Sequence, residues 1–169
     1  MPAHIPALAA AGIKWVAGYP GNPGRGLPYV SGLLILNDDE TGLPTCVMDC
    51  TWLTGCRTGA ATALSARYLA RPDASVAGIL GCGVQGRTNL AALAALFPLR
   101  RAFAFDIDTH AGGRFAEEMT ARLGIEVVAV GTARAAVVDS DLVVTAGPIL
   151  KEPSPTIEAG WLAPGAFAS

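Results

Sequence analysis

The pattern of apolar and polar positions changes its period after residue 50. Before it, Ile13, Trp15 and Ala17 alternate with Lys14, Val16 and Gly18, and this period of two predicts a β-strand at 12–19; two further strands are predicted at 29–36 and 43–49. The polar stretch at 37–42 separates the last two runs, so we expect them to form an antiparallel hairpin. Three strands alone cannot bury both faces of a sheet, so this region needs a partner sheet, a second subunit or the rest of a domain.

Helical spacing begins at residue 51. A helix is predicted over 51–71, with Thr54 as its N-cap and Pro72 as its stop. The rest of the chain alternates short apolar runs with helical segments: strands are predicted at 75–80, 102–105, 126–130 and 141–145, and helices at 87–97, 112–123 and 133–138. This alternation predicts an α/β fold with a doubly wound parallel sheet, preceded by part of an antiparallel domain.

A glycine-rich turn joins the first of these strands to its helix: Gly81-Cys82-Gly83-Val84-Gln85-Gly86. A G-x-G-x-x-G spacing between a strand and a helix is the fingerprint of a Rossmann dinucleotide-binding domain. Gly81 permits the tight turn, Gly83 lets a pyrophosphate approach the backbone, and Gly86 lets the helix pack against the strand. Val84 and Gln85 belong to the same predicted site, because free N–H groups at the helix start face the phosphates.

Two further positions complete the predicted cofactor site. Asp106 ends the next strand twenty residues after Gly86, where the fingerprint places a carboxylate that accepts from the adenosine ribose hydroxyls. Thr145 ends the last predicted strand and is included in the site. No arginine or lysine follows Asp108 within five positions to meet a 2′-phosphate, so NAD is predicted in preference to NADP. The alternative is a βαβ unit that binds no nucleotide.

Composition narrows the function classes. Hydrophobic residues make up 51% of the 169-residue chain and charged residues 15%, which predicts a globular core and argues against disorder. The net charge of −2 and the scattered basic residues give no nucleic-acid or membrane-surface footprint. Apolar runs stop short of the ~18 residues of a membrane span, and the start of the chain lacks the basic residues of a signal peptide, so a cytoplasmic protein is expected.

The four cysteines, Cys46, Cys50, Cys56 and Cys82, have neither C-x-x-C spacing nor a histidine nearby. A zinc site is therefore not expected, and no metal is predicted. We interpret the cysteines as small buried thiols in a reducing compartment.

Two basic residues stand out by position. Lys14 lies inside an apolar strand, where a charge is costly unless it is paired. Arg57 is predicted near the start of the first helix, where the helix dipole disfavours a cation unless an anion compensates it. One interpretation is that the two residues hold a carboxylate between them. The other is an outward-facing strand lysine and a solvated arginine, and the arginine could also touch the pyrophosphate.

Three motifs then occur in an order and spacing that resemble one family. They are Gly12-Ile13-Lys14-Trp15-Val16 followed by Tyr19-Pro20-Gly21-Asn22-Pro23, then Leu53-Thr54-Gly55-Cys56-Arg57-Thr58-Gly59-Ala60-Ala61, and then the glycine turn. Together they resemble the ornithine cyclodeaminase and mu-crystallin family over essentially the whole chain. This combination is far more specific than the glycine turn alone.

The resemblance implies an NAD(P)-dependent homodimer of amino-acid metabolism. It assigns residues 1–53 to a partial substrate-binding and dimerisation domain, 54–73 to a linking helix and 74–169 to a truncated Rossmann domain. Lys14 and Arg57 match the residues that hold the substrate carboxylate in cyclodeaminases. Hydride passes from the substrate α-carbon to NAD and leaves an imine. Cyclodeaminases then lose ammonia and close a ring, while related alanine dehydrogenases and ketimine reductases stop earlier or run in reverse.

The resemblance also implies features that lie beyond this chain. The family's catalytic aspartate follows the fifth Rossmann strand, which is expected to start only where this chain stops, so no catalytic residue is assigned. We expect the strand at 141–145 to become an exposed edge and the chain alone to lack turnover. The alternatives are a mu-crystallin-like protein that holds a small molecule, and a degenerate fragment that binds nucleotide weakly.

Overall fold

The computed structural model describes residues 1–148, 152 and 155–169, and the chain divides into two compact units, Met1–Thr54 and Gly55–Ser169. The first unit contains the following strands: β1 (Pro2–Ile5), β2 (Ala10–Gly18), β3 (Val30–Asn37) and β4 (Pro44–Asp49). They form an antiparallel sheet in the order β1-β2-β3-β4. The predicted hairpin is confirmed as β3 and β4, and β2 is confirmed at its predicted position.

Strand β1 was not predicted from the sequence. It is four residues long, and all four side chains are exposed. A strand with no buried face carries no alternation of apolar and polar residues, so its pairing with β2 is visible only in the structure.

The second unit is a parallel sheet with alternating helices. Its elements, with the helix α1 that leads into it, are α1 (Thr51–Leu69), β5 (Val76–Leu80), α2 (Val84–Ala94), β6 (Arg101–Phe105), α3 (Thr109–Leu123), β7 (Glu126–Ala129), α4 (Ala133–Val137), β8 (Leu142–Thr145) and β9 (Phe167–Ala168). The sheet order is β7-β6-β5-β8-β9, and all of its pairs are parallel. The predicted doubly wound fold is therefore confirmed, and the connections reverse direction at β5.

The core of the second unit lies on both faces of this sheet. Ala77, Ile79 and Leu142 are fully buried on the two central strands, β5 and β8. From the helices, Phe115 and Met119 of α3 are equally buried. Strands covered on both faces read as continuous apolar runs, which is why β5 was evident in the sequence.

The expectation that β8 forms an exposed edge was wrong. Phe167 and Ala168 form β9, which pairs in parallel with Leu142 and Val143. The carbonyl of Ser169 also accepts a hydrogen bond from the N–H of Thr145 at 2.8 Å. A two-residue strand is too short to show a periodic pattern, so only the structure reveals this pairing.

Two helix starts also differ from prediction. Helix α1 begins at Thr51, whose N–H donates to the Asp49 side chain at 2.9 Å, so Thr54 is not its N-cap. Arg57 is then the seventh residue of α1, beyond the first turn where the helix dipole acts, and the predicted dipole penalty does not apply. Helix α2 begins at Val84, three residues before its predicted start at Arg87.

Asp141 ties the start of β8 to the start of β5. One carboxylate oxygen accepts from the N–H of Ser75 at 2.8 Å and from the N–H of Val76 at 3.0 Å, while the other accepts from the guanidinium of Arg71. Burial by itself raises the pKa of Asp141, but the two backbone hydrogen bonds and Arg71 outweigh it, so the pKa is lowered. The ionised carboxylate therefore stabilises the folded unit.

Replacing this carboxylate is expected to weaken the fold in a pH-dependent way. Asp141→Ala leaves two backbone N–H groups without their acceptor and should lower the free energy of unfolding by about 1–3 kcal/mol at pH 7. Because the folded-state pKa is depressed, this stabilisation is complete above the unfolded-state pKa of about 3.9 and is lost as pH falls through the folded value. Urea unfolding between pH 3 and pH 7 measures the difference.

The exposed Asp73 supplies the matched control for this change. Asp73→Ala should alter stability by less than about 0.5 kcal/mol at every pH. Equal losses from the two alanine variants would contradict the role given to Asp141.

Candidate functional site

The glycine turn lies between β5 and α2, and two of its glycines are required by close contacts. Gly81 has a φ of +104°, and a Cβ there would lie 2.7 Å from the carbonyl carbon and oxygen of Ala146. A Cβ at Gly86 would lie 2.2 Å from the carbonyl oxygen of Gly81. Only glycine fits at either position, and together they bring the N-terminus of α2 against the end of β5.

Gly83 has no such internal reason to be glycine. Its backbone is extended, with φ −84° and ψ −161°, and a Cβ there would meet no atom of the described residues within 4 Å. The glycine therefore leaves open space beside the start of α2. This is the geometry in which a ligand, rather than the protein, approaches the backbone.

The N-terminus of α2 also lacks a side-chain cap among the described residues. Helices α3 and α4, in contrast, each have a side-chain cap. Asp108 accepts from the N–H of His110 at the start of α3, and Thr132 accepts from the N–H of Ala135 at the start of α4. The first N–H groups of any helix have no acceptor within it, and those of α2 directly follow Gly83. An anionic group fits this arrangement.

Asp106 fixes the end of β6 against the turn. One carboxylate oxygen accepts from the N–H of Cys82 at 2.8 Å, and the other accepts from the N–H of Asp108 at 3.0 Å. An ionised carboxylate offers about four lone-pair directions, so it can still accept from hydroxyl groups of a ligand. The structure thus brings Asp106 together with the glycine turn, as the fingerprint predicts.

Cys82 occupies the centre of the turn as a neutral thiol. It is 3% exposed, and burial raises the pKa of its thiol to about 11, with a further increase from Asp106 and a smaller opposing effect from Arg87.

Cys50 is also buried, but Cys46 and Cys56 are only half-buried, so the expectation of four buried thiols was wrong for those two. The sequence contains no signal that separates the two pairs.

Thr145 lies at the carboxyl end of β8, on the side of the sheet where β5 ends and the glycine turn begins. It pairs with Leu80 in the register of β5 and β8, and its hydroxyl donates to the carbonyl of Ser169 at 3.1 Å. Because parallel strands place their carboxyl ends together, the end of β8 and the glycine turn meet at one edge.

Helix α2 carries two polar residues, Gln85 and Asn89, whose contact is not evident from the sequence. Asn89 is buried, and its side-chain N–H donates to the carbonyl of Gln85 at 2.7 Å. The side-chain oxygens of both residues have no hydrogen-bond partner among the described residues. The available signal was an asparagine within an Ala- and Leu-rich helix, which is a weak one.

Lys14 is buried, with its side chain away from solvent. It is 8% exposed, and its ammonium donates to the hydroxyl of Thr54 at 3.1 Å. Its neighbours on β2, Ile13 and Trp15, lie on the opposite face and are 41% and 71% exposed. The alternative of an outward-facing lysine is therefore wrong, and it is the apolar side chains that face outward.

Arg57 is exposed on α1 and belongs to the second unit, whereas Lys14 belongs to the first. Their joint action on one carboxylate stays a prediction.

Among the described residues, no group of three or more His, Cys, Asp or Glu side chains is arranged to hold a metal ion. Within residues 1–148, 152 and 155–169, no helix has the length and apolar character needed to cross a membrane.

Known proteins with similar sequences and structures identify the family of this chain. The chain is 41% identical to alanine dehydrogenase of Archaeoglobus fulgidus over 165 residues, which make up 98% of this chain and 49% of that protein. It superimposes with a TM-score of 0.89 and 40% identity on Thermococcus litoralis Δ1-pyrroline-2-carboxylate reductase, solved with NADH and L-proline, covering 94% of this chain and 48% of the other.

An archaeal alanine dehydrogenase dimer with bound NAD gives the same TM-score of 0.89 at 40% identity, over 99% of this chain and 50% of the other. The chain thus spans about half the length of the relatives that it matches. The pattern of the ornithine cyclodeaminase/mu-crystallin family matches residues 1–169. The chain therefore belongs to the ornithine cyclodeaminase/mu-crystallin family.

Proposed function

We propose that this chain is the NAD-binding and part of the substrate-binding region of an oxidoreductase or lyase that acts on an amino acid through an imine. The observation that carries the proposal is the open space at Gly83, beside the start of α2, which no side chain among the described residues caps. A dinucleotide pyrophosphate would occupy this space, and Asp106 would accept from the adenosine ribose hydroxyls. The relatives solved with NADH and with NAD support this cofactor.

The substrate class is an amino acid bound through its carboxylate. Lys14 is a buried ammonium, and a buried charge attracts an anion more strongly than a solvated one because the local dielectric is low. Arg57 would add a forked, permanently charged donor. The relative that was solved with L-proline supports this class. Lys14 and Arg57 would hold and orient the substrate carboxylate, and bound NAD would supply a hydride acceptor for the substrate α-carbon.

The rest of the proposal concerns organisation. Residues 1–53 would bind substrate and form a homodimer, residues 54–73 would link the domains, and residues 74–169 would bind NAD. In support, the outward face of the first sheet carries exposed Ile13, Trp15, Leu33 and Val47, and the archaeal alanine dehydrogenase is a dimer. A second copy of the chain would bury such a face. We place the protein in the cytoplasm, where NAD and free thiols coexist.

Substitutions in the turn test the dinucleotide site. Gly83→Ala puts a methyl group into the open space without meeting any atom of the residues that the structure describes, so stability should be unchanged or rise by up to about 1 kcal/mol. NADH affinity should fall about tenfold or more, because the methyl group blocks the pyrophosphate. Gly86→Ala should instead lower stability by about 1–3 kcal/mol, since its methyl group meets the Gly81 carbonyl.

NADH fluorescence titration and thermal unfolding measure both effects. Gly113→Ala is the control, because a Cβ there also meets no described atom within 4 Å but lies within α3. Unchanged NADH affinity in Gly83→Ala would refute the proposed site.

Cofactor choice is expected to depend on the charge of Asp106. NAD should bind more tightly than NADP, because the carboxylate repels a 2′-phosphate. Asp106→Asn keeps one oxygen for the N–H of Cys82, gives up the hydrogen bond from the N–H of Asp108 and removes the charge, so it should narrow the ratio of the two dissociation constants about tenfold. Asp108→Asn is the control, because asparagine caps α3 as well as aspartate does. Isothermal titration that shows a larger effect of Asp108→Asn would reassign the ribose contact.

Carboxylate binding is tested by turnover in the full-length protein. Lys14→Met or Arg57→Ala removes one charged partner of a desolvated carboxylate, which costs about 2–5 kcal/mol, or more than tenfold in kcat/KM. Arg67→Ala, an exposed arginine on the same helix as Arg57, is the control and should be neutral. Wild-type kcat/KM in both test variants would remove them from the site. Cofactor binding without turnover of any amino acid would instead indicate a ligand-holding protein.

A further inference from the structure

Arg87 lies in the first turn of α2, where a cation is disfavoured by the helix dipole. Its side chain is nevertheless held in one place by α3. The guanidinium carbon lies 5.3 Å from the centre of the buried Phe115 ring. Its Nε and one Nη each lie 2.8 Å from the same carboxylate oxygen of Glu118. This anion offsets the unfavourable charge, so the arginine has a reason to remain there.

The other side of the guanidinium faces the glycine turn. Its remaining Nη donates to the carbonyl of Cys82 and, at 3.2 Å, to the carbonyl of Gly83. The peptide bonds of the turn are trans, so each C=O points opposite to the N–H of the next residue. Fixing these two carbonyls therefore directs the N–H groups of Gly83 and Val84 away from the guanidinium. These are N–H groups that the proposed pyrophosphate would meet.

We infer that Arg87, held by Phe115 and Glu118, is a positioning residue that fixes the phosphate-binding turn before the dinucleotide arrives. We name this set of three residues the Arg87 clamp. The inference rests on the proposed NAD site and adds to it the element that orders the site. A turn that is already ordered loses less conformational entropy on binding, so the clamp raises affinity for the pyrophosphate part of the ligand.

The chain contains a matched control for the clamp. Arg101 also faces a glutamate, with its Nε 2.6 Å from Glu126, and its guanidinium carbon lies 5.9 Å from the centre of the Phe103 ring. It lies at the amino end of β6, whereas Asp106 and the glycine turn lie at the carboxyl ends of β6 and β5. Arg101→Met therefore removes a comparable arginine without touching the turn.

The test compares Arg87→Met with Arg101→Met, using ADP-ribose and adenosine as probes in isothermal titration. Arg87→Met should weaken ADP-ribose about tenfold and leave adenosine unchanged, because adenosine has no pyrophosphate. Arg101→Met should leave both dissociation constants unchanged. Equal weakening of both probes, or equal effects of the two variants, would mean a general loss of structure and would overturn the inference.

A conservative variant separates position from charge. Arg87→Lys keeps the positive charge but cannot reach the glutamate and both carbonyls at once, because lysine lacks the planar fork. It should therefore fail to restore ADP-ribose affinity. Restoration by lysine would show that only the charge matters. Glu118→Ala should produce the same selective loss, and the double variant with Arg87→Met should lose little more, since the two residues act as one unit.

A measurement on the ligand-free protein keeps failure of the clamp distinct from failure of the NAD site. NMR order parameters of the Gly83 and Val84 amides should fall in Arg87→Met from the rigid value of about 0.85 towards about 0.6, and should not change in Arg101→Met. If the wild type binds no ADP-ribose, the proposed cofactor site is wrong and these order parameters alone decide the clamp. Unchanged order parameters would overturn it.

Discussion

The close approach of α2 to the end of β5 is the contact on which the second unit depends. The position of a Cβ on Gly86 lies 2.2 Å from the Gly81 carbonyl, so the helix can start where it does only with glycine at this point. The same contact delivers the N-terminus of α2 to the edge of the sheet where β5, β6 and β8 end. The open space at Gly83 exists because the helix start is held there.

Charged side chains from neighbouring elements then fix the turn itself. The N–H of Cys82 donates to Asp106, which directly follows β6, and its carbonyl accepts from Arg87, which α3 holds through Glu118. The backbone N–H and C=O of Cys82 are thus held by two side chains of opposite charge, Asp106 and Arg87. Between them the Cys82 thiol stays neutral at physiological pH, because burial first and Asp106 second raise its pKa to about 11. The turn is therefore ordered by the protein before any ligand binds.

The two units bury their apolar residues differently. The parallel sheet is covered by helices, so its central strands are apolar throughout. The antiparallel sheet of the first unit exposes Ile13 and Trp15, while Lys14 on the opposite face is buried against Thr54. This inversion explains why sequence alternation located β2 correctly but could not tell which face was buried. Alternation reports two faces, and only tertiary contacts decide which of them meets solvent.

The sequence by itself determined the doubly wound sheet, the glycine turn and the acid at Asp106, because these depend on local spacing and on apolar runs that any covered parallel strand requires. Tertiary structure alone decided the pairing of β1 with β2 and of β9 with β8, the start of α1 at Thr51 and the contacts of Arg87. β1 and β9 are short strands without a periodic pattern, and the position of α1 depends on the Asp49 side chain. The arginine's partners, Phe115 and Glu118, are 28 and 31 residues away along the chain, a separation at which no sequence period links side chains.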